Sequence, residues 1–467
     1  MSCSPARAAE PALNAKIGEL IAAAKLGAAH VGVSIVDVKT GDVLCAIGEQ
    51  RRMTPASNVK LITTGAALLV LGEEFQFSTS VYASGKASAG GVLEGDIVVA
   101  AGGDPAISGR EHGGGTTAVF DAWAAEIART ITFVRGDLVI DATLFDRQFI
   151  HPSWPKDQLV RWYCAPVSAF ALNDNCIDVK VEPGSRPGLA AEVTLDPPTA
   201  YFDVRNTCWT VASGQSRAYI DRTPGRDTLL ISGRLSPGRR GASSPVAVVQ
   251  PVQFAATVLK ERLAAAGVRF GGNIVIAAKK IDTAGLRPLA GTSHSLVSAV
   301  RTANKRSQNF YAEMILKTMG LRVSRPSSFA SGVRVVAGQL EKMGIRRGTY
   351  TMADGSGLAR ENAFSAEQLT TVLRHMGRSR HAAPFIDSLA VAGVDGTLKR
   401  RMTEPVTAGK VFGKTGHLRG VSVISGYVKP DGRLVAFSIL INGAQLRASA
   451  ADSLQDSICR VLADLRR

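Results

Sequence analysis

Val421-Ser422-Val423-Ile424-Ser425-Gly426-Tyr427-Val428 alternates in hydropathy, Pro430-Asp431-Gly432 turns the chain, and Leu434 to Ile441 runs back. A period of two broken by a Pro/Gly turn predicts an antiparallel hairpin. The beginning of the chain carries a counterpart. His30-Val31-Gly32-Val33-Ser34-Ile35-Val36-Asp37-Val38 and Asp42-Val43-Leu44-Cys45-Ala46-Ile47 flank a Lys39-Thr40-Gly41 turn. Beside each hairpin lies an amphipathic helix. One puts Leu13, Ile17, Leu20, Ile21 and Ala24 on a 3.6-residue stripe, and the other, over 449–465, does so with Leu454, Ile458, Val461, Leu462 and Leu465. The expected fold is therefore α+β, a helix-covered antiparallel sheet built from both chain ends.

Between the hairpins the texture changes. From about 84 to 280, short apolar runs (Ile97 to Ala100, Leu138 to Ile140, Ile177 to Val181, Thr228 to Ile231, Ile274 to Ala277) alternate with Gly, Pro, Ser and Asn clusters, which predicts mostly β structure. Helices are expected at 118–130 and 251–266 and again beyond Ser293. The 467 residues suffice for roughly three domains. The expected division is a discontinuous domain of 1–83 and 292–467, an insert domain of 84–160 and 245–291, and a nested β-rich insert of 161–244.

Hydrophobic residues at 45 % and charged residues at 20 % describe an ordered globular chain rather than a disordered one. Fifty-five Lys and Arg against 39 Asp and Glu leave a net charge of +16, which favours polyanionic surroundings. A nucleic-acid partner is not expected, because arginine-rich spots such as Arg239-Arg240 and Arg346-Arg347 are short and lack interleaved aromatics. No run approaches the roughly 18 apolar residues of a membrane span. The first ten residues lack an apolar core, although Ala6-Arg7-Ala8 looks like the small-x-small end of a secretory signal. Cys3, Cys45, Cys164, Cys176, Cys208 and Cys459 show no Cys-x-x-Cys pair and no histidine spacing, so neither a zinc site nor any other cofactor is expected.

Three short blocks carry chemistry. In Pro55-Ala56-Ser57-Asn58-Val59-Lys60, Ser57 and Lys60 stand three apart at a helix start, so the amine reaches the hydroxyl. Activation requires a neutral lysine, and burial or a second cation must lower its pKa from near 10.4. Ser-x-x-Lys alone arises about once by chance in a chain of this size. In Ser307-Gln308-Asn309 a hydroxyl able to relay a proton and an amide able to hold a substrate stand two apart, although Ser and Asn are equally the favoured helix caps. Lys414-Thr415-Gly416 opens an alternating strand and suits an extended peptide ending in a carboxylate, yet Lys39-Thr40-Gly41 is the same tripeptide in a turn.

In this chain order, the three blocks resemble the signature of the penicillin-recognising acyl-serine transferases. Asp354-Gly355-Ser356-Gly357-Leu358-Ala359-Arg360 and Gly393-Val394-Asp395-Gly396-Thr397-Leu398 narrow the resemblance to the D-alanyl-D-alanine carboxypeptidase/endopeptidase family, the class C low-molecular-mass penicillin-binding proteins. That family also carries a long insert between its first two motifs, and here Ser57 and Ser307 are 250 residues apart.

The resemblance implies a serine D,D-peptidase acting on peptidoglycan stem peptides, acylated by β-lactams, and working in the periplasm or otherwise outside the cytoplasm, against the wall or membrane surface. It implies Ser57 as nucleophile, Lys60 as base, Ser307 and Lys414 as a proton relay with Lys414 lowering the Lys60 pKa, and Asn309 on the substrate amide. It places Thr415, Gly416, His417 and Arg360 at the substrate, with the backbone N–H groups of Ser57 and His417 as oxyanion donors. His417 departs from the small hydroxyl residue usual there. Arg360 has a structural alternative as an ion-pair partner of Glu361 or Asp354. A Cys164–Cys176 disulfide in the insert is also implied. Two rival readings stay open: a serine β-lactamase or esterase of the same fold, and a non-catalytic wall-binding protein.

Overall fold

The computed structural model describes residues 10–108, 115–214 and 216–465, so Cys3 and the Ala6-Arg7-Ala8 stretch lie outside the described residues. Two compact units are present: residues through Phe75 together with those from Ser295 onward, and Gln76–His294.

The first unit is organised by a six-stranded antiparallel sheet in the order Ala390–Val391, Val411–Leu418, Val421–Val428, Val435–Asn442, His30–Asp37, Val43–Ile47. The two hairpins read from the sequence thus join edge to edge, with Gly32 opposite Leu440 and Ser34 opposite Ser438. All eight residues of Val421–Val428 are buried, because helices cover both faces. On one face Ile35, Ile424, Phe437 and Ile439 pack against Leu13 and Ile17 of the Pro11–Ala23 helix and Leu454, Ile458 and Leu462 of the Ala448–Ala463 helix. On the other lies Ala366–Arg378, with the helices Val59–Leu71 and Asn309–Gly320 stacked behind it.

That second face has a polar seam. Lys414, Ser425, Ser438 and Ser34 occupy one cross-strand row, all buried. Ser425 and Ser438 share a hydrogen bond between their hydroxyls (2.8 Å), and Ser34 shares one with Thr370 of the covering helix (2.7 Å). Small hydroxyls fit here because they satisfy one another and let the helix sit close.

The second unit holds β structure with the two expected helices, Ala118–Ala128 and Pro251–Ala265, packed on each other. Among its described residues are a five-stranded sheet containing Ile97–Ala100 and Leu138–Asp141, and two three-stranded sheets. The implied Cys164–Cys176 bridge is not formed: both are buried thiols. Cys164 closes the one-turn helix Trp162–Cys164 and Cys176 opens the strand Cys176–Glu182, so each thiol is packed within its own element.

Candidate active site

Ser57 does not sit on the α-helix the spacing predicts but in a single 3₁₀ turn, Ala56–Asn58, that feeds into it. Ala56 is in the left-handed region (φ 43°), which lifts Ser57 out of the helical run. Lys60 lies one turn on and is fully buried. Its Nζ donates to Ser57 Oγ (3.1 Å), Asn309 Oδ1 (2.6 Å) and the Ser356 carbonyl (2.7 Å). Burial pushes the Lys60 ammonium down to about 7, against the opposing pull of Asp354 and Glu313. Desolvation, not the neighbouring Lys414 expected from the sequence, is the cause.

The second block is not a helix cap. Ser307 adopts φ 57° in the link between Leu296–Lys305 and Asn309–Gly320, Gln308 takes the cap position without a side-chain cap bond, and Asn309 is the first helical residue. A serine in the left-handed region costs about 1 kcal/mol, and the site spends it on turning the hydroxyl toward Lys414, whose Nζ donates to Ser307 Oγ (2.8 Å) and to the Thr415 carbonyl (2.6 Å). Lys414 is fully buried and held well below the ordinary lysine range, first by desolvation and then by the Lys60 charge. Asn58 ties the two halves together, its amide nitrogen on the Lys414 carbonyl and its oxygen on Ser425 Oγ, both 2.7 Å.

The strand Val411–Leu418 brings the third block alongside. A Cβ added to Gly416 would sit 2.8 Å from the Ser57 backbone nitrogen, so glycine is what allows this approach. The short outer strand pairs only with Phe412 and Gly413, so among the described residues the edge beyond Lys414 has no strand beside it. Thr415 donates to Thr397 Oγ1 (2.8 Å). Exposed His417 meets Asp452 Oδ1 through Nε2 (3.0 Å), and Asp452 also accepts from Ser422 (2.8 Å). Arg360 forms neither suggested ion pair; its guanidinium donates to the Arg419 carbonyl (3.0 Å) at the surface.

Two contributors, the Ser356 carbonyl and Glu313, went unassigned in the sequence, while Asp354 belongs to a block already singled out. The Ser356 carbonyl has no side-chain signature at all. Glu313 sits one turn after Asn309 on the same helix, and that i, i+4 spacing was its available signal. It is fully buried and accepts from the Gly355 amide (3.0 Å) and the Ser356 amide (2.7 Å), with burial and then Asp354 pushing its carboxyl up to about 8. Asp354 folds the turn itself, accepting from the Gly357 and Ala359 amides and from Asn362 Nδ2, each at 2.8 Å. The cluster therefore couples one hydroxyl to one desolvated amine and a second hydroxyl to another, the arrangement acyl transfer to serine requires.

The model of the D-Ala-D-Ala carboxypeptidase 3 (S13) family matches residues 13–465. A D-alanyl-D-alanine carboxypeptidase from an Actinomadura species is 33% identical over 449 residues, covering 93% of this chain and 81% of that protein. The carboxypeptidase DacB of Haemophilus influenzae is 26% identical, covering 89% and 85%. The fold is similar to the crystal structure of penicillin binding protein 4 from Haemophilus influenzae, with a TM-score of 0.83, 24% identity and coverage of 96% and 99%. It is similar more distantly to a predatory peptidoglycan endopeptidase from Bdellovibrio bacteriovorus, with a TM-score of 0.51, 15% identity and coverage of 92% of each chain.

Proposed function

The chain belongs to the D-Ala-D-Ala carboxypeptidase 3 (S13) family and is a serine-type D,D-peptidase of peptidoglycan, and from that premise we propose that Ser57 carries the acyl group and Lys60 activates it. The observation that supports this most is the trio of acceptors around Lys60 Nζ. A neutral amine has two N–H bonds and one lone pair. With Asn309 Oδ1 and the Ser356 carbonyl taking the two hydrogens, the lone pair is left for the Ser57 proton. A pKa of about 7 keeps a large share of Lys60 in that form near neutral pH.

Ser57 Oγ then attacks the carbonyl carbon of the penultimate D-alanine while its proton passes to Lys60. The backbone N–H groups of Ser57 and His417 hold the oxyanion. Ser307, hydrogen-bonded to Lys414, hands a proton to the leaving amine nitrogen as the C–N bond breaks, and water later hydrolyses the ester. The peptide lies along the open edge of the Val411–Leu418 strand, with Asn309 on its amide and Thr415, Gly416 and His417 around its terminal carboxylate. Arg360 reaches a carboxylate on the stem peptide's side chain. Both free D-alanyl ends and cross-links fit this scheme. The enzyme works outside the cytoplasm, in the periplasm or at the wall, and its +16 charge favours contact with anionic wall polymer and lipid headgroups.

A β-lactam is attacked the same way, and ring opening leaves the whole drug attached. After incubation with benzylpenicillin, intact-protein mass should rise by one drug for the wild type and not at all for Ser57→Ala. A folded wild type, checked by circular dichroism, that takes up no drug at high concentration would overturn the assignment.

A further inference from the structure

In the unit Gln76–His294, the strands Asp203–Thr210, Thr228–Leu235 and Arg217–Arg222 form a sheet with one covered and one solvent face. The covered face carries Cys208, Leu229 and Ile231, all buried. The register builds the other. Trp209, Arg234 and Arg217 form one cross-strand row, and Thr207, Ser232 and Tyr219 the next, every one of them exposed. Trp209 is 53% exposed and Tyr219 51%, among the most exposed large apolar side chains of the described chain. Arg217 lies over the Tyr219 ring at 4.8 Å. The acidic residues of this face, Asp203 and Asp221, stand toward the other end, where Asp203 pairs with Arg205 (3.4 Å) and Asp221 lies beside Leu230. The end holding both aromatics is thus cationic.

We propose that this face, centred on Trp209, Tyr219, Arg217 and Arg234, is a second binding site for peptidoglycan, separate from the catalytic residues. The inference rests on peptidoglycan being the polymer the chain acts on. Two large aromatic rings that remain in water instead of joining a core mark a recognition surface. A flat face suits an extended polymer, whereas small ligands take concave sites. The apolar faces of pyranose rings lie on indole and phenol rings, and the arginine forks take up stem-peptide carboxylates. Thr207 and Ser232 leave room between the rings and offer hydroxyls to a polar chain. A second copy of the protein fits less well, because a two-fold contact would press the arginine pair against itself.

The test is cosedimentation of the full-length enzyme with insoluble peptidoglycan, in parallel with hydrolysis of a soluble peptide ending in D-alanyl-D-alanine. Trp209→Ala and the double variant Arg217→Glu/Arg234→Glu should each weaken binding to the polymer by about tenfold or more, with soluble-peptide kcat/KM and benzylpenicillin labelling unchanged. Polymer binding equal to wild type in either variant would overturn the proposal, as would weakening in the charge variant alone, which is non-specific attraction. Wild-type self-association abolished by Trp209→Ala, with polymer binding intact, would make the face an interface between copies instead. If either variant is misfolded by circular dichroism, Tyr219→Ala takes its place under the same criteria. Failure of soluble-peptide hydrolysis in the wild type would count against the proposed reaction and leave this site standing.

Discussion

In the proposed reaction the chemistry at Ser57 turns on one nitrogen. Lys60 is useful because it is buried, and the same burial makes its protonation sensitive to the two carboxyl groups that face it, Asp354 and Glu313. The rate of acylation by benzylpenicillin should therefore rise with pH through about 7, as the ammonium gives way to the free amine. Asp354→Asn removes the charge that most favours the ammonium, whereas the Glu313 carboxyl, pushed up to about 8, is mostly protonated through this range. The acid limb of Asp354→Asn should move to lower pH, as measured by the second-order acylation rate across pH. An unmoved limb would mean that Asp354 does no more than hold the turn. At this scale the sequence was legible where two side chains meet at a fixed spacing, as with Ser57 and Lys60, which lie within a hydrogen bond of each other. It was silent where function lives in a carbonyl, as at Ser356, or in a backbone angle, as at Ser307. The Cys164–Cys176 bridge, implied by the resemblance alone, had no signal in the residues themselves, because the positions of cysteines in a chain do not say which thiols are joined.

Elements decide which of two identical tripeptides is chemical. Lys39-Thr40-Gly41 closes a hairpin, where Asp37 accepts from the Lys39 and Thr40 amides (2.8 Å each) and Gly41 takes φ 85°. Lys414-Thr415-Gly416 instead lies within a strand, and the strand carries Lys414 to Ser307 and Gly416 to Ser57. Flanking alternation told the two apart in the sequence, because strand periodicity is a local signal. The turn Asp354–Gly357 was harder to read, since its meaning comes from what it touches. Gly357 has φ 83°, and a Cβ there would fall 1.8 Å from the Ala56 carbonyl. Gly357→Ala faces a left-handed cost of about 1–2 kcal/mol and must also push back the residue that precedes Ser57. Acylation by benzylpenicillin should fall by about 10²-fold, along with a lowered melting temperature. Wild-type labelling in this variant would show that the turn and the nucleophile are not coupled.

At the scale of the whole molecule, the catalytic unit is closed by its two ends. The helix Ala448–Ala463 buries Leu454, Ile458 and Leu462 against the sheet, each worth about 1.5–3 kcal/mol. Their sum is comparable with the entire 5–15 kcal/mol of a typical domain. Ending the chain before Ala448 should give protein that neither refolds nor labels with benzylpenicillin, judged by circular dichroism and intact mass. A truncated chain with wild-type labelling would show that the sheet stands without that cover. Both hairpins and both terminal helices were readable from periodicity, and the motif order pointed to one unit, but the pairing of Ser34 with Ser438 is a long-range fact that no local pattern encodes. That pairing also sets a clock. Lys414 is made 357 residues after Ser57, about 20–70 s later at ordinary rates of synthesis. Throughout that interval the nascent chain displays the proposed nucleophile without the strand that completes the site, so on this reading the hydroxyl is no more reactive than any other serine. Reactivity arrives only with the last strands, and a drug present during synthesis meets an unarmed chain.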